Sequence, residues 1–232
     1  MSWRRAQLWL MPRVPRPTEE TVSSVLAVLS TNEAWRPSHW GPSLQQRRPF
    51  DEADLRSWLP MTRDADGREE ELIVRRMSEP PYYLLRWTLT PRVTRGTFQL
   101  SLLPDAAPSA LERFFAVADE LAVVLGTLYG GVQLADWEGD PKVLAGPSGI
   151  HGEEVDRPGL EDVFPRTYLS AELAVRVSFE ATALSTTVLR FDASPSPWSE
   201  RPQILREGME RLRAGLVTAG LTRTSNGMQR EP

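Results

Sequence analysis

The chain has no cysteine. That removes disulfides, thiolate metal ligands and cysteine nucleophiles together, and it fits a reducing compartment. Lysine is nearly missing too: Lys142 stands alone, and the rest of the 27 basic residues are arginines. With 20 prolines this reads as the codon bias of a GC-rich genome, and it carries no functional weight. Only two histidines occur, His39 and His151. No apolar run approaches the length of about 18 residues that a membrane span needs. The stretch from Leu8 to Met11 is too short for a signal-peptide core and is interrupted by Pro12 and Arg13. The expectation is a cytoplasmic protein with an intact N-terminus and no membrane partner.

The 232 residues suffice for one large core, since a chain of this size buries roughly 70–75% of its unfolded surface. The stretch from Tyr82 to Leu128 organises the rest. Tyr82, Leu84 and Trp87 begin a strand running to Thr90, and Phe98, Leu100 and Leu102 alternate with Gln99, Ser101 and Leu103 in the next. Leu111, Phe114, Phe115, Ala118, Leu121, Ala122, Leu125 and Leu128 then recur at about 3.6 residues, the stripe of an amphipathic helix. Pro108 and Ser109 open that helix, and Tyr129-Gly130-Gly131 is expected to close it.

Elsewhere, Ala6 to Met11 reads as a strand, and Thr18 caps a helix with Glu19 and Glu20 in its first turn and Val22, Val25, Leu26, Val28 and Leu29 inward. Trp35 to Pro49 is rich in Pro, Trp and Arg and is expected to be an irregular packed loop. Asp51 caps a short helix that turns Leu55, Trp58 and Leu59 inward. Asp66-Gly67 marks a turn before a strand at Leu72 to Met77. Val132, Leu134 and Trp137 form a strand. Leu173 to Phe179 is a strand or short helix, and Thr186 to Phe191 a strand. Ser194 to Pro197 spaces these from a closing helix of Ile204, Leu205, Met209, Leu212, Leu216 and Val217, which ends near Gly220. The fold expected is α+β: a mixed, mainly antiparallel sheet with two long helices and one or two short helices packed on it. Residues 1–221 form one domain with a long acidic loop at 138–165, and residues 222–232 a disordered tail.

The residues that could carry chemistry do not assemble into a catalytic signature. His151 is followed by Glu153, Glu154 and Asp156, which leaves a metal site open beside the simpler reading of a solvated acidic loop. Gly146-Pro147-Ser148-Gly149 lacks the spacing of a nucleophile elbow, and no glycine pattern opens a phosphate-cradling helix. Arg4, Arg5, Arg13 and Arg16 cluster, and Arg47-Arg48 and Arg75-Arg76 form pairs, but none lies on a recognition helix and the net charge is −4; nucleic acid is not expected as a partner. No cofactor is implied.

Acidity is concentrated instead. Asp136, Glu138, Asp140, Glu153, Glu154, Asp156, Glu161 and Asp162 face only Lys142 and Arg157, a local charge of −6 within a chain of −4. Such a segment either steers a basic protein partner or is a hydrated linker. Trp137 at its margin is either an apolar anchor for that partner or core. Trp35 and Trp40, flanking Arg36 and His39, allow a second aromatic surface, although packing over the sheet is the simpler role.

Several short stretches together resemble the immunity protein 52 family, whose members belong to bacterial polymorphic and type VI secretion toxin systems. They are Leu8-Trp9-Leu10 leading to a Thr-Glu-Glu helix, Ser38-His39-Trp40-Gly41-Pro42, Arg48-Pro49-Phe50-Asp51, Tyr129-Gly130-Gly131-Val132, Pro165-Arg166-Thr167-Tyr168-Leu169 and Phe191-Asp192. The resemblance implies a cytoplasmic, non-enzymatic protein that binds a cognate toxin and occludes it; it transfers no binding residue. The partner-binding residues expected from charge are therefore Asp136, Trp137, Glu138, Asp140, Glu153, Glu154, Asp156, Glu161 and Asp162. The alternatives are an adaptor or structural subunit of a bacterial secretion or defence assembly, and an enzyme using the carboxylates near His151.

Overall fold

A computed structural model describes residues 3–13, 18–45, 47–58, 71–88, 98–102, 107–137 and 163–221. The turn expected at Asp66-Gly67, the acidic stretch from 138 to 162 and the tail from 222 lie outside these residues.

The architecture is α+β. Ten strands form one sheet in the order β3-β2-β4-β5-β6-β1-β7-β8-β10-β9. They are β1 (Trp3–Met11), β2 (His39–Gly41), β3 (Arg48–Pro49), β4 (Glu71–Arg76), β5 (Tyr83–Thr88), β6 (Phe98–Leu102), β7 (Tyr129–Trp137), β8 (Arg166–Ser170), β9 (Thr182–Ala183) and β10 (Val188–Asp192). Every pairing is antiparallel. The first strand in sequence lies near the middle of the sheet, with Leu8 opposite Leu100 on one side and Val132 on the other.

Among the described residues five helices accompany the sheet: α1 (Glu19–Ser30), α2 (Glu52–Trp58), α3 (Pro108–Val124), α4 (Ala171–Ala174) and α5 (Pro202–Thr218). Their ends follow local chemistry. Thr18 and Thr21 cap α1 reciprocally, each hydroxyl accepting from the other's backbone N–H, which satisfies donors the first turn leaves unpaired. Asp51 accepts from the amides of Ala53 and Asp54 at the start of α2. Proline opens α3 and α5, where its missing N–H costs nothing.

Side chains alternate across the sheet, so register sorts them onto two faces. Leu8, Leu10, Val74, Leu85, Leu100 and Val132 line the first face and pack with the buried stripes of α1, α2 and α3. On the second face, α5 brings Leu212 and Leu216 against Phe164, Leu169 and Phe191 over β8 and β10. Among the described residues no helix lies over the second face at β5, β6 and β1.

Two expectations need correction. Tyr129-Gly130-Gly131 does not end the long helix. That helix stops at Val124, and Gly126, at φ 55°, makes the left-handed turn. Gly130 and Gly131 belong to β7, where glycine is required by close approach. A Cβ on Gly130 would lie 2.2 Å from the Trp9 carbonyl oxygen, and one on Gly131 2.3 Å from the Phe164 ring. Trp35 to Pro49 is likewise not wholly irregular, since it supplies β2 and β3. Trp35 and Trp40 are buried, at 2% and 0% exposure, and make no surface. Trp35 stacks on Tyr83, and Trp40 packs against Trp58.

Candidate interaction face

The uncovered part of the sheet is built from the alternate residues of strands whose other side forms the main core. Register sets them in rows. Gln7 of β1 lies opposite Ser101 of β6 and Gln133 of β7, and Leu84 of β5 continues the row past Ser101. In the next row Trp9 lies opposite Gln99 and Gly131, and Gln99 opposite Arg86. Arg5 is exposed, and the other side chains of these rows are half-buried. A shallow depression of about 290 Å³ opens between them, lined by Arg5, Ala6, Gln7, Ser101, Leu102, Gln133 and Ala135.

Most of this surface is neutral amide and hydroxyl, able both to donate and to accept. Arg86 is charged but pairs with Glu71 on the neighbouring strand. Met77 and Tyr82, at the ends of β4 and β5, and Leu44, after β2, are exposed apolar side chains at 45%, 38% and 41%. The surface combines hydrogen-bonding amides with apolar margins over a firm, well-packed underside. Such groups can meet another surface through shape and hydrogen bonds.

Of the residues expected to bind a partner, Asp136 and Trp137 are the last two of β7, directly after Ala135 of the depression, and Trp137 lies opposite Trp3. The sheet therefore carries the start of the acidic segment to the margin of the uncovered face. Glu138, Asp140, Glu153, Glu154, Asp156, Glu161 and Asp162 lie outside the described residues, as does His151. Among the described residues no group of three or more His, Asp or Glu is placed to hold a metal ion, and no helix is long and apolar enough to cross a membrane.

The strongest electrostatic feature lies under the opposite face. Arg166, 4% exposed in its side chain, donates from Nε to Asp192 Oδ1 at 2.6 Å and from Nη1 to Asp119 Oδ2 at 3.1 Å. It also donates to the Phe115 carbonyl. Its guanidinium lies 4.9 Å from the centroid of Phe115 and 5.8 Å from that of Trp198. Arg190 reaches Asp119 at 2.7 Å, and the Tyr168 hydroxyl donates to Asp119 at 2.8 Å. Burial lowers the affinity of Arg166 for its proton, but Tyr168, Asp192 and Asp119 outweigh it, so its pKa stands above the ordinary value. Burial, then Asp119, push the Tyr168 phenol well above its usual range.

Two arginines and two aspartates make this cluster neutral, and the Arg166 nitrogens are all engaged. It ties α3 to β8, β10 and the turn Pro197–Ser199, and leaves no capacity for a ligand. Removing one member of such a set strands buried charge, at a cost of about 3–5 kcal/mol.

Sequence reasoning missed this sheet face. Its signal was the alternation of Gln99 and Ser101 with Phe98, Leu100 and Leu102, which marks a strand's polar side but does not say whether a helix will cover it. The short stretches behind the family resemblance meet one another in the fold: Arg166 lies opposite Asp192, His39 opposite Pro49, and Gly131 opposite both Trp9 and Thr167. They are scaffold.

No protein-family model matches the chain, and no curated protein matches it. Among solved structures it is similar to a Pseudomonas aeruginosa T6SS protein, at 12% sequence identity and a TM-score of 0.47, over 97% of this chain and 85% of that one. A likeness this distant assigns no activity.

Proposed function

We propose that this protein is a non-enzymatic binding protein of the immunity type, which acts in the cytoplasm by covering the working surface of a cognate bacterial toxin. The observation that carries the reading is the sheet face over which none of the described helices lies, where Gln7, Ser101, Gln99 and Gln133 stand in adjacent register with the acidic segment beginning at its margin at Asp136 and Trp137. The family resemblance of the scaffold stretches supports the same reading. The neutral face would supply shape and hydrogen bonds, and Glu138, Asp140, Glu153, Glu154, Asp156, Glu161 and Asp162 would draw in a basic cleft by long-range attraction.

Co-expression with the product of the neighbouring gene tests this. Growth should be protected and the two proteins should co-purify one to one. Gln7→Arg and Gln133→Arg should each weaken binding by about 1–2 kcal/mol, as a central interface position does, while Ala27→Arg on the exposed side of α1 should not. Neutralising Glu153, Glu154, Asp156, Glu161 and Asp162 together should slow association and flatten its salt dependence. Failure to protect or to bind would overturn the immunity reading, and stable co-purification with several components would favour an adaptor subunit.

A further inference from the structure

Among the described residues three arginines are buried: Arg75, Arg76 and Arg166. Arg166 has two aspartates, and Arg76 has Glu79 at 3.2 Å. The part-buried arginines are matched as well, Arg86 to Glu71, Arg113 to Glu120 and Arg190 to Asp119 and Asp192. Arg75 differs. It is 4% exposed and has no carboxylate partner among the described residues. Its Nη1 and Nη2 reach only the backbone carbonyls of Ser43 and Leu44, each at 3.3 Å, long for such bonds. Its Nε is buried and has no hydrogen-bond partner among the described residues.

The surroundings deepen the imbalance. The cross-strand neighbours of Arg75 are His39 on β2 and Leu84 on β5, neither of them acidic. Among the described residues the charge that acts on it is Arg47, of the same sign, and burial followed by that repulsion lowers its pKa. A desolvated cation without a counter-charge costs folding free energy. A methionine would fill a similar volume without burying a charge, at the loss of the long contacts to the Ser43 and Leu44 carbonyls.

We propose that Arg75 is a buried oxyanion-binding site where β2 and β4 pair. The Nε–Nη2 edge of a guanidinium presents two parallel donors that match a carboxylate or a phosphoryl group. At Arg75 one donor of that edge is unused, and the other is shared between two long carbonyl contacts from Ser43 and Leu44. An arriving oxyanion takes both donors and releases those carbonyls to water. This site is independent of the immunity reading, because a small anion needs no protein partner.

The test is a titration of the purified protein with inorganic phosphate and, separately, acetate, at constant ionic strength. The readouts are the Arg75 Nε–Hε NMR resonance, assigned by its loss in Arg75→Lys, and the thermal midpoint. The expected result is a saturable shift of that resonance and a midpoint that rises with anion, as mass action requires. Arg75→Met should melt higher than wild type without anion and should not respond to it, and Arg47→Gln should bind about two- to fivefold more weakly, having lost a neighbouring charge. A response to acetate alone assigns the site to carboxylates, and one to phosphate alone to phosphoryl groups; either supports the proposal. No saturable shift with either anion, or an Arg75→Met variant that responds as wild type does, would overturn it. If the Met variant does not fold, the wild-type resonance decides. Loss of toxin binding with the anion response intact would count against the proposed function and leave this site standing.

Discussion

Two buried phenols make stability depend on alkaline pH. Tyr83 donates to the Trp35 carbonyl at 2.7 Å, and Tyr168 to Asp119 at 2.8 Å. Both are fully buried. Burial, the leading cause, raises both above the ordinary tyrosine value, for Tyr83 against an opposing pull from Arg76. An acid whose folded pKa exceeds its unfolded value of about 10 contributes stability that is complete below that pH and is lost above it. The unfolding free energy should therefore hold steady from pH 7 to 10, then fall by about 1.4 kcal/mol per pH unit for each tyrosine. Tyr83→Phe should be about 1 kcal/mol less stable at pH 7, for the lost hydrogen bond, and should lose stability about half as steeply above pH 10. Denaturant titrations at pH 7, 10 and 11 read this directly, and equal slopes for wild type and variant would refute it. None of it was legible in the sequence. Tyr168 stands in the sequence only within the stretch Pro165 to Leu169; the face of its strand, and so its burial against Asp119 some 49 positions earlier, is settled only by pairing.

At the scale of elements, α5 offers a test of packing against propensity. Glycine inside a helix costs about 1 kcal/mol relative to alanine, so replacing either helical glycine ought to stabilise. At Gly215 it should, by up to about 1 kcal/mol, because the nearest atoms to a new Cβ are side-chain carbons of Val177 and Phe179 at 3.9 and 4.0 Å. At Gly208 the sign should reverse, because the Cβ would lie 2.0 Å from the Ala193 carbonyl oxygen and 2.7 Å from its carbon. Backbone there cannot rotate away, and we expect a net loss of about 1–3 kcal/mol as the helix is forced off the sheet. Thermal midpoints of the two alanine variants, moving in opposite directions, decide the matter. The same distinction explains what could be read from the sequence. The period of α3 and the caps of α1 and α2 are local and came through. Gly130-Gly131 looked like a helix stop because a glycine that permits a turn and a glycine that admits a neighbour are identical on the page. The strands β2 and β3, of three and two residues, are too short to show an alternation; β4 offers an edge to β2, and β2 in turn to β3.

For the molecule as a whole, the central position of β1 has consequences that its place in the sequence conceals. Terminal segments usually fray, but β1 is held along its length by both β6 and β7. The edges of the sheet are instead β3 and β9, two residues each, with exposed side chains. Amide protection in hydrogen exchange should therefore be greatest in β1, β6 and β7, approaching the global unfolding free energy, and least at Arg48, Thr182 and Ala183. Fast exchange in β1 would mean that the sheet order is wrong. The uncovered face stands on these same strands, so the surface proposed to meet a partner is also the least deformable part of the protein, which keeps the ordering cost of binding low. Partner binding should then add little protection to backbone amides that are already near the ceiling. It should appear in the side-chain NH₂ groups of Gln7, Gln99 and Gln133, whose resonances should shift on complex formation while those of Gln203, on α5, stay in place. Unmoved face glutamines in a formed complex would place the interface elsewhere.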